Sequence, residues 1–269
     1  MLKDITFGQY FEYDSIVHKL DPRTKLLLLI AVITLVFVSS GWLQLGIVAF
    51  FIIAIIFISK VPLKLYLKNL KAILPIIVFT MIINLFYNAQ GKVLFTIWRL
   101  TITTGSIERA VYMAGRILLL IIVSAVLTYT TTPNDLTDAI ENLLSPLKFL
   151  GLKNAVHTLA MMMTIALRFI PTLIEETQKI MNAQKARGAD LENGRLIERI
   201  KALIPILIPL LISSVRRAYE LAEAMECRCY NGGEGRQRMK QLKYTSCDFI
   251  AFLITAVISV AVIVINILL

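Results

Sequence analysis

Residues 26–59 read LLLLIAVITLVFVSSGWLQLGIVAFFIIAIIFIS, 34 positions without a charged side chain. As one helix this run would be about 51 Å long, against a bilayer hydrocarbon core of about 30 Å. It must fold back on itself. Ser39-Ser40-Gly41 supplies the break, which gives spans near 26–40 and 43–59 and places Trp42 at a water interface.

The rest of the chain fits that start. Of 269 residues, 57% are apolar and the mean hydropathy is +0.74, values that call for a bilayer rather than a water-soluble globule. Further spans are expected at 72–88, 108–129 and 248–269. The net charge of +10 would suit either a nucleic-acid footprint or the cytoplasmic loops of a membrane protein. Its distribution decides. Lys and Arg number four in 1–25, none in 41–42, four in 60–71, two in 89–107 and sixteen in 130–247, so alternate segments are basic. The positive-inside rule then predicts a multi-pass cell-membrane protein with a cytoplasmic N-terminus, an extracellular C-terminus, five spans and no nucleic-acid partner. Residues 1–25 are too polar for a signal-peptide core, and no cleavable signal is expected.

The expected fold is an all-α integral membrane protein of about five transmembrane helices, with long amphipathic helices in the cytoplasm. It divides into a membrane domain at 1–129, a cytoplasmic helical domain at 130–247 and a C-terminal span at 248–269. A segment as long as 130–247 should carry structure of its own. Thr132-Pro133-Asn134-Asp135 opens a first amphipathic helix with a capping-box pattern and proline at the first helical position. A second unit begins near Leu152, restarts or kinks at Pro171, and stops at Ala186-Arg187-Gly188. The third helix is the most periodic feature: Leu196, Ile200, Leu203, Leu207, Leu211 and Val215 share a side that runs on to Met225. Its apolar middle, interrupted by Pro205 and Pro209, is too short to cross a bilayer, so it should lie on the membrane surface or against another apolar protein.

Two helices therefore end in an arginine between small residues: Ala186-Arg187-Gly188 and Cys227-Arg228-Cys229. Arginine near a helix C-terminus suits the dipole, and glycine beyond it is a usual cap. Small neighbours also leave the guanidinium fork accessible to a carboxylate in a partner's groove. Both readings stand at this point. Met161-Met162-Met163 reads as ordinary packing, although flexible methionines also suit a surface that accepts several partners. Cys227, Cys229 and Cys247 read as reduced, buried or interfacial thiols, and with only His18 and His157 as histidines no metal site is expected. Gly232-Gly233-Glu234-Gly235 reads as an exit loop, since no Gly-Lys-Ser/Thr follows. Glu175-Glu176 beside Lys179 reads as a solvated face, while Arg109 and Arg116, in or beside the fourth span, should snorkel or pair internally. No catalytic residue is expected.

Gly8-Gln9-Tyr10, Ser15, His18 and Leu20-Asp21-Pro22-Arg23-Thr24-Lys25, leading straight into the first span, resemble the transmembrane coupling subunits of energy-coupling-factor transporters. Arg168-Phe169-Ile170-Pro171, Ala183-Gln184-Lys185-Ala186-Arg187-Gly188 and Ala224-Met225-Glu226-Cys227-Arg228-Cys229-Tyr230 follow in that family's order, so the likeness covers essentially the whole chain. It is nearer to the shared-module vitamin importers of Gram-positive bacteria than to dedicated cobalt, nickel or biotin systems. The resemblance implies a non-catalytic subunit that joins two ATP-binding-cassette ATPases to one or more substrate-specific membrane subunits. ATP and magnesium would be bound by the ATPases, and no cofactor by this chain. Ala186, Arg187, Gly188, Cys227, Arg228 and Cys229 would contact the ATPases. Met161, Met162, Met163, Leu203, Leu207 and Leu211 would contact the substrate-capturing subunit. The rival readings are a self-sufficient secondary transporter or channel, which should show midplane ionisable residues or repeated spans, and an intramembrane enzyme, which needs paired catalytic groups.

Overall fold

The computed structural model describes residues 10–87, 93–97, 100–145, 153–189, 196–231 and 242–268. Gly8, Gln9, Leu152 and the glycine-rich segment 232–235 lie outside them. The described elements run α1 Ile16–Lys19, α2 Pro22–Val38, α3 Trp42–Ser59, α4 Leu63–Tyr87, β1 Val93–Ile97, β2 Leu100–Thr103, α5 Thr104–Thr130, α6 Pro133–Leu143, α7 Lys153–Ala186, α8 Leu196–Glu226 and α9 Ser246–Leu268. The class is all-α, with one feature that hydropathy does not signal. Strands β1 and β2 pair antiparallel, Thr96 opposite Thr101 and Ile97 opposite Leu100.

Among the described residues, five helices are long and apolar enough to cross a membrane: Trp42–Ser59, Leu63–Phe86, Thr104–Thr130, Ala155–Ala186 and Ser246–Leu268. They are not quite the five expected. Pro22–Val38 has 17 residues, about 26 Å, at the lower limit for a span. The addition is Ala155–Ala186, within a segment that charge counting assigns to the cytoplasm; its hydropathy of 1.4 is half the 2.8 of α9. Helix α7 continues through Pro171 without the restart that was one of the two outcomes expected there.

The chain packs as two compact units, one of residues 8–139 with 240–269 and one of 1–7 with 140–239. In the first, α2, α3, α5 and α9 share a core that includes Val36, Val48, Ile52, Val123 and Val262, all 5% exposed or less. Helix α4 joins through Tyr66, whose ring meets Tyr129 edge-on at 5.2 Å. The outward faces carry Phe50, Phe57, Phe79, Leu253 and Val257, large apolar side chains suited to lipid.

The break at Ser39–Gly41 is held at both of its ends. Gln44 Oε1 accepts from the backbone N–H groups of Ser40 and Gly41 at 2.6 and 2.8 Å, which satisfies donors that the start of α3 leaves free. On the other side, the end of α2 leaves carbonyls without intrahelical partners. Ser39 O accepts from Tyr112 Oη and from Arg116, both at 2.6 Å, and the Arg116 guanidinium lies over the Tyr112 ring. Arg116 is thus paired internally with a helix C-terminus. Arg109 is exposed in the second turn of α5.

A second polar knot joins the opposite ends of these helices. Asp248 is 1% exposed and accepts from the Asp21 N–H at 2.9 Å and from the N–H and hydroxyl of Thr245 at 2.7 and 2.8 Å. Lys25 Nζ donates to Thr130 O and His18 O at 2.8 and 3.1 Å, and Arg23 donates to Leu242 O. The Leu20–Lys25 stretch therefore ties α1, α2, the C-terminus of α5 and the N-terminus of α9 together. Each buried charge meets backbone groups that helix ends would otherwise leave open.

Candidate functional site

The second unit is built on α7 and α8, and three contacts fix their sense. Tyr230 donates its hydroxyl to the Met161 sulfur at 2.9 Å, Arg217 pairs with Glu176 at 3.0 Å, and Gln184 Nε2 donates to Pro205 O at 3.4 Å. Residue numbers rise along α7 as they fall along α8, so the helices lie antiparallel. The last contact has a local cause. Pro209 has no N–H to give the carbonyl four residues before it, which leaves Pro205 O open to a donor from the neighbouring helix. Glu176, expected on a solvated face, is instead the acceptor of the inter-helix ion pair.

Antiparallel packing puts the two arginines at opposite ends of the pair. Arg187 follows Gln184, which sits beside Pro205, and Arg228 lies 23 residues further along α8, roughly 35 Å at the helical rise. Both are exposed, and no ion pair holds either among the described residues.

The two ends have the same backbone geometry. At the first, Ala189 N donates to Gln184 O at 3.0 Å, Gly188 N to Lys185 O at 3.0 Å and Arg187 N to Gln184 O at 3.1 Å. At the second, Tyr230 N donates to Met225 O at 3.1 Å, Cys229 N to Glu226 O at 2.8 Å and Arg228 N to Met225 O at 3.1 Å. These are two Schellman caps, each with a 6→1 and a 5→2 bond. The cap requires a left-handed residue straight after the arginine, and Gly188 has φ +89° while Cys229 has φ +55°. Glycine enters that region freely; a side chain there costs on the order of 1 kcal/mol. Cys229 thus takes the glycine's conformation, and the Cys-flanked end presents its arginine as the Ala-Arg-Gly end does.

The apolar stripe of α8 is uncovered within the unit. Leu203, Leu207 and Leu211 are all exposed, Leu211 at 66%, whereas Ile206 on another face is 3% exposed. Periodicity identified the stripe but not that it faces outward. Of the methionines, Met162 is 61% exposed and Met163 half-buried, while Met161 is engaged by Tyr230. Cys227, Cys229 and Cys247 are free and exposed, so none of them is a buried thiol. Glu141 of α6 meets His157 of α7 at 3.2 Å.

A family model described as cobalt transport protein matches residues 14–241. The chain is 53% identical over 258 residues to an energy-coupling factor transporter transmembrane protein from Ruminiclostridium cellulolyticum, covering 96% of this chain and 95% of that one. The protein of the same description from Clostridium kluyveri is 50% identical over 260 residues, covering 96% and 95%, and that from Bacillus subtilis 42% identical over 248 residues, covering 92% and 93%. With several apolar helices of spanning length, an exposed helical pair and similarity along nearly its whole length, the chain belongs to the family of energy-coupling factor transporter transmembrane proteins.

Proposed function

We propose that this chain is the coupling subunit of an ATP-driven importer, docking one ATPase at Arg187 and another at Arg228. The observation that carries the reading is the repetition of one geometry at two places about 35 Å apart, too far for a single groove to engage both. An exposed guanidinium one residue before a left-handed turn stands clear of the helix, with small neighbours on either side. It suits bidentate pairing with a carboxylate. Two equivalent ends fit two related partners set side by side.

Each arginine sits at the tip of a long lever. When ATP binding draws the two ATPases together, the tips are drawn with them, and the pair changes its crossing or its position. The stripe of Leu203, Leu207 and Leu211, together with Met162 and Met163, moves as part of that lever. A membrane subunit that captures a vitamin rides on this apolar surface, and its reorientation releases the substrate inward. In this reading hydrolysis takes place wholly in the partners, and the N-terminus and the tips lie in the cytoplasm. The buried charges Asp21, Lys25 and Asp248 are committed to backbone groups at helix ends, which disfavours a self-sufficient ion-coupled transporter.

The test is co-purification of the complex with single and double variants. Arg187→Glu and Arg228→Glu should each weaken ATPase retention, and the double variant should abolish both retention and uptake. Normal uptake by the double variant would sink the proposal.

A further inference from the structure

Among the described residues of the membrane unit, an apolar and a polar cavity share Leu20, Lys25 and Thr130 in their walls. One, of about 380 Å³, is lined by apolar side chains that include Leu28, Val32, Phe51, Ile55, Val126 and Ile254. The other, of about 320 Å³, is polar and is lined by His18, Lys19, Asp21, Asp135 and Lys243. Lys25 belongs to both: its stem passes along the apolar slot, and its ammonium is held by Thr130 O and His18 O.

We infer that these paired cavities form a binding site for one anionic glycerophospholipid, an acyl chain in the apolar slot and the phosphate at the lysine-rich pocket. The lining narrows the occupant first. The slot is lined by aliphatic and aromatic side chains with Lys25 and Thr130 at its polar end, a lining that suits a hydrocarbon chain. An apolar channel beside a charged pocket suits an amphiphile.

Charge narrows it further. Lys19 and Lys243 are exposed at the polar pocket, with Lys25 in its wall. Of the two carboxylates there, Asp21 is buried and accepts from the Arg23 N–H, with the Arg23 side chain 3.8 Å away. The other, Asp135, is half-buried in the first turn of α6, where the helix N-terminus offsets its charge. The lysines of the pocket, Lys19, Lys25 and Lys243, outnumber its carboxylates, Asp21 and Asp135, and each lysine near a bilayer surface adds attraction for an anionic headgroup. The site uses none of the residues assigned to ATPase docking, so it stands or falls separately from that role.

The experiment is native mass spectrometry of the full-length chain in detergent micelles supplied with phosphatidylglycerol, phosphatidylcholine or inorganic phosphate. One phosphatidylglycerol should be retained per chain, roughly tenfold over phosphatidylcholine, with no retention of phosphate. The double variant Lys19→Gln with Lys243→Gln, both on the surface, should bring phosphatidylglycerol down to the level of phosphatidylcholine. Ala251→Phe, which fills the slot from α9, should expel both lipids, and Ala54→Phe does the same from α3 should the α9 variant fail to fold. Equal retention of the two lipids, retention of neither, retention of phosphate alone, or phosphatidylglycerol undiminished in the variants would each overturn the assignment.

Discussion

Ile52 and Leu207 are aliphatic residues of the same size in the middle of apolar helices, yet Ile52 is fully buried and Leu207 is 57% exposed. The two regions that hold them follow opposite rules. The membrane bundle turns its apolar faces inward as well as outward and ties its helix ends with buried polar groups. The α7–α8 pair buries few apolar side chains, Ala160 and Ile206 among them, and leaves its most apolar stripe uncovered. Inside a bilayer, burying an aliphatic side chain against another helix gains packing rather than escape from water, so specificity falls to the polar knots. In the reading proposed above, the uncovered stripe of α8 is instead kept for a partner.

The knots make the largest test of this contrast. Asp248→Ala strips the acceptor from Asp21 N and Thr245 N at a buried site and should lower the stability of the bundle by about 3 kcal/mol, read by thermal unfolding in detergent. A comparable fall in the α7–α8 pair on removing Arg217, whose side chain is 38% exposed, would break the comparison. Next in size is the aliphatic pair itself. Ile52→Ala should cost about 2 kcal/mol through the cavity it leaves, whereas Leu207→Ala should cost less than about 0.5 kcal/mol and instead weaken retention of the substrate-capturing subunit on an affinity column.

A smaller effect should appear at the second arginine. Replacing Cys229 with glycine relieves a left-handed side chain and should stabilise the cap by up to about 1 kcal/mol, seen as slower amide exchange at Cys229 and Tyr230. Gly188→Ala should move the equivalent amides the other way. Faster exchange in the glycine variant would mean that the two ends are not equivalent.

The smallest expected effect concerns pH. His18 lies in α1, where Nδ1 accepts from the Ser15 hydroxyl at 2.6 Å and Nε2 donates to Phe11 O at 3.0 Å, an arrangement made for the neutral ring. Burial holds its pKa below the ordinary 6.5, with Lys25 nearby adding to the shift. The unfolded chain then binds the proton more readily than the native one, so the stability from this group is complete above about pH 6.5 and is lost as pH falls. The melting temperature should drop between pH 7.5 and 5.5, and His18→Gln should flatten that slope.

Much of this was legible in the residues. The turn at Ser39–Gly41 follows from a charge-free run too long for the bilayer, and the opening of α6 from Thr132, whose hydroxyl accepts from Asp135 N at 3.1 Å. Helix α8 was legible nearly to its ends, because an apolar repeat sustained from Leu196 to Met225 has one helical reading. The β ribbon was missed. Its residues, VLFTI and LTIT, are β-branched and aromatic, a signal that hydropathy averaging over 89–107 conceals. For Arg116 snorkelling and internal pairing both stood open, and the partner could not be read, since Ser39 lies 77 positions away.

The amino-acid sequence by itself determined that the chain lives in a membrane, where it turns, and that two helices end in an arginine between small residues, because hydropathy, charge and short motifs act locally. Only the tertiary structure decided that the stripe of α8 faces outward, that Cys229 adopts glycine's conformation, and that antiparallel packing separates Arg187 from Arg228. Those outcomes depend on which faces meet and on backbone torsions imposed by hydrogen bonds between residues five positions apart. No single residue type announces them.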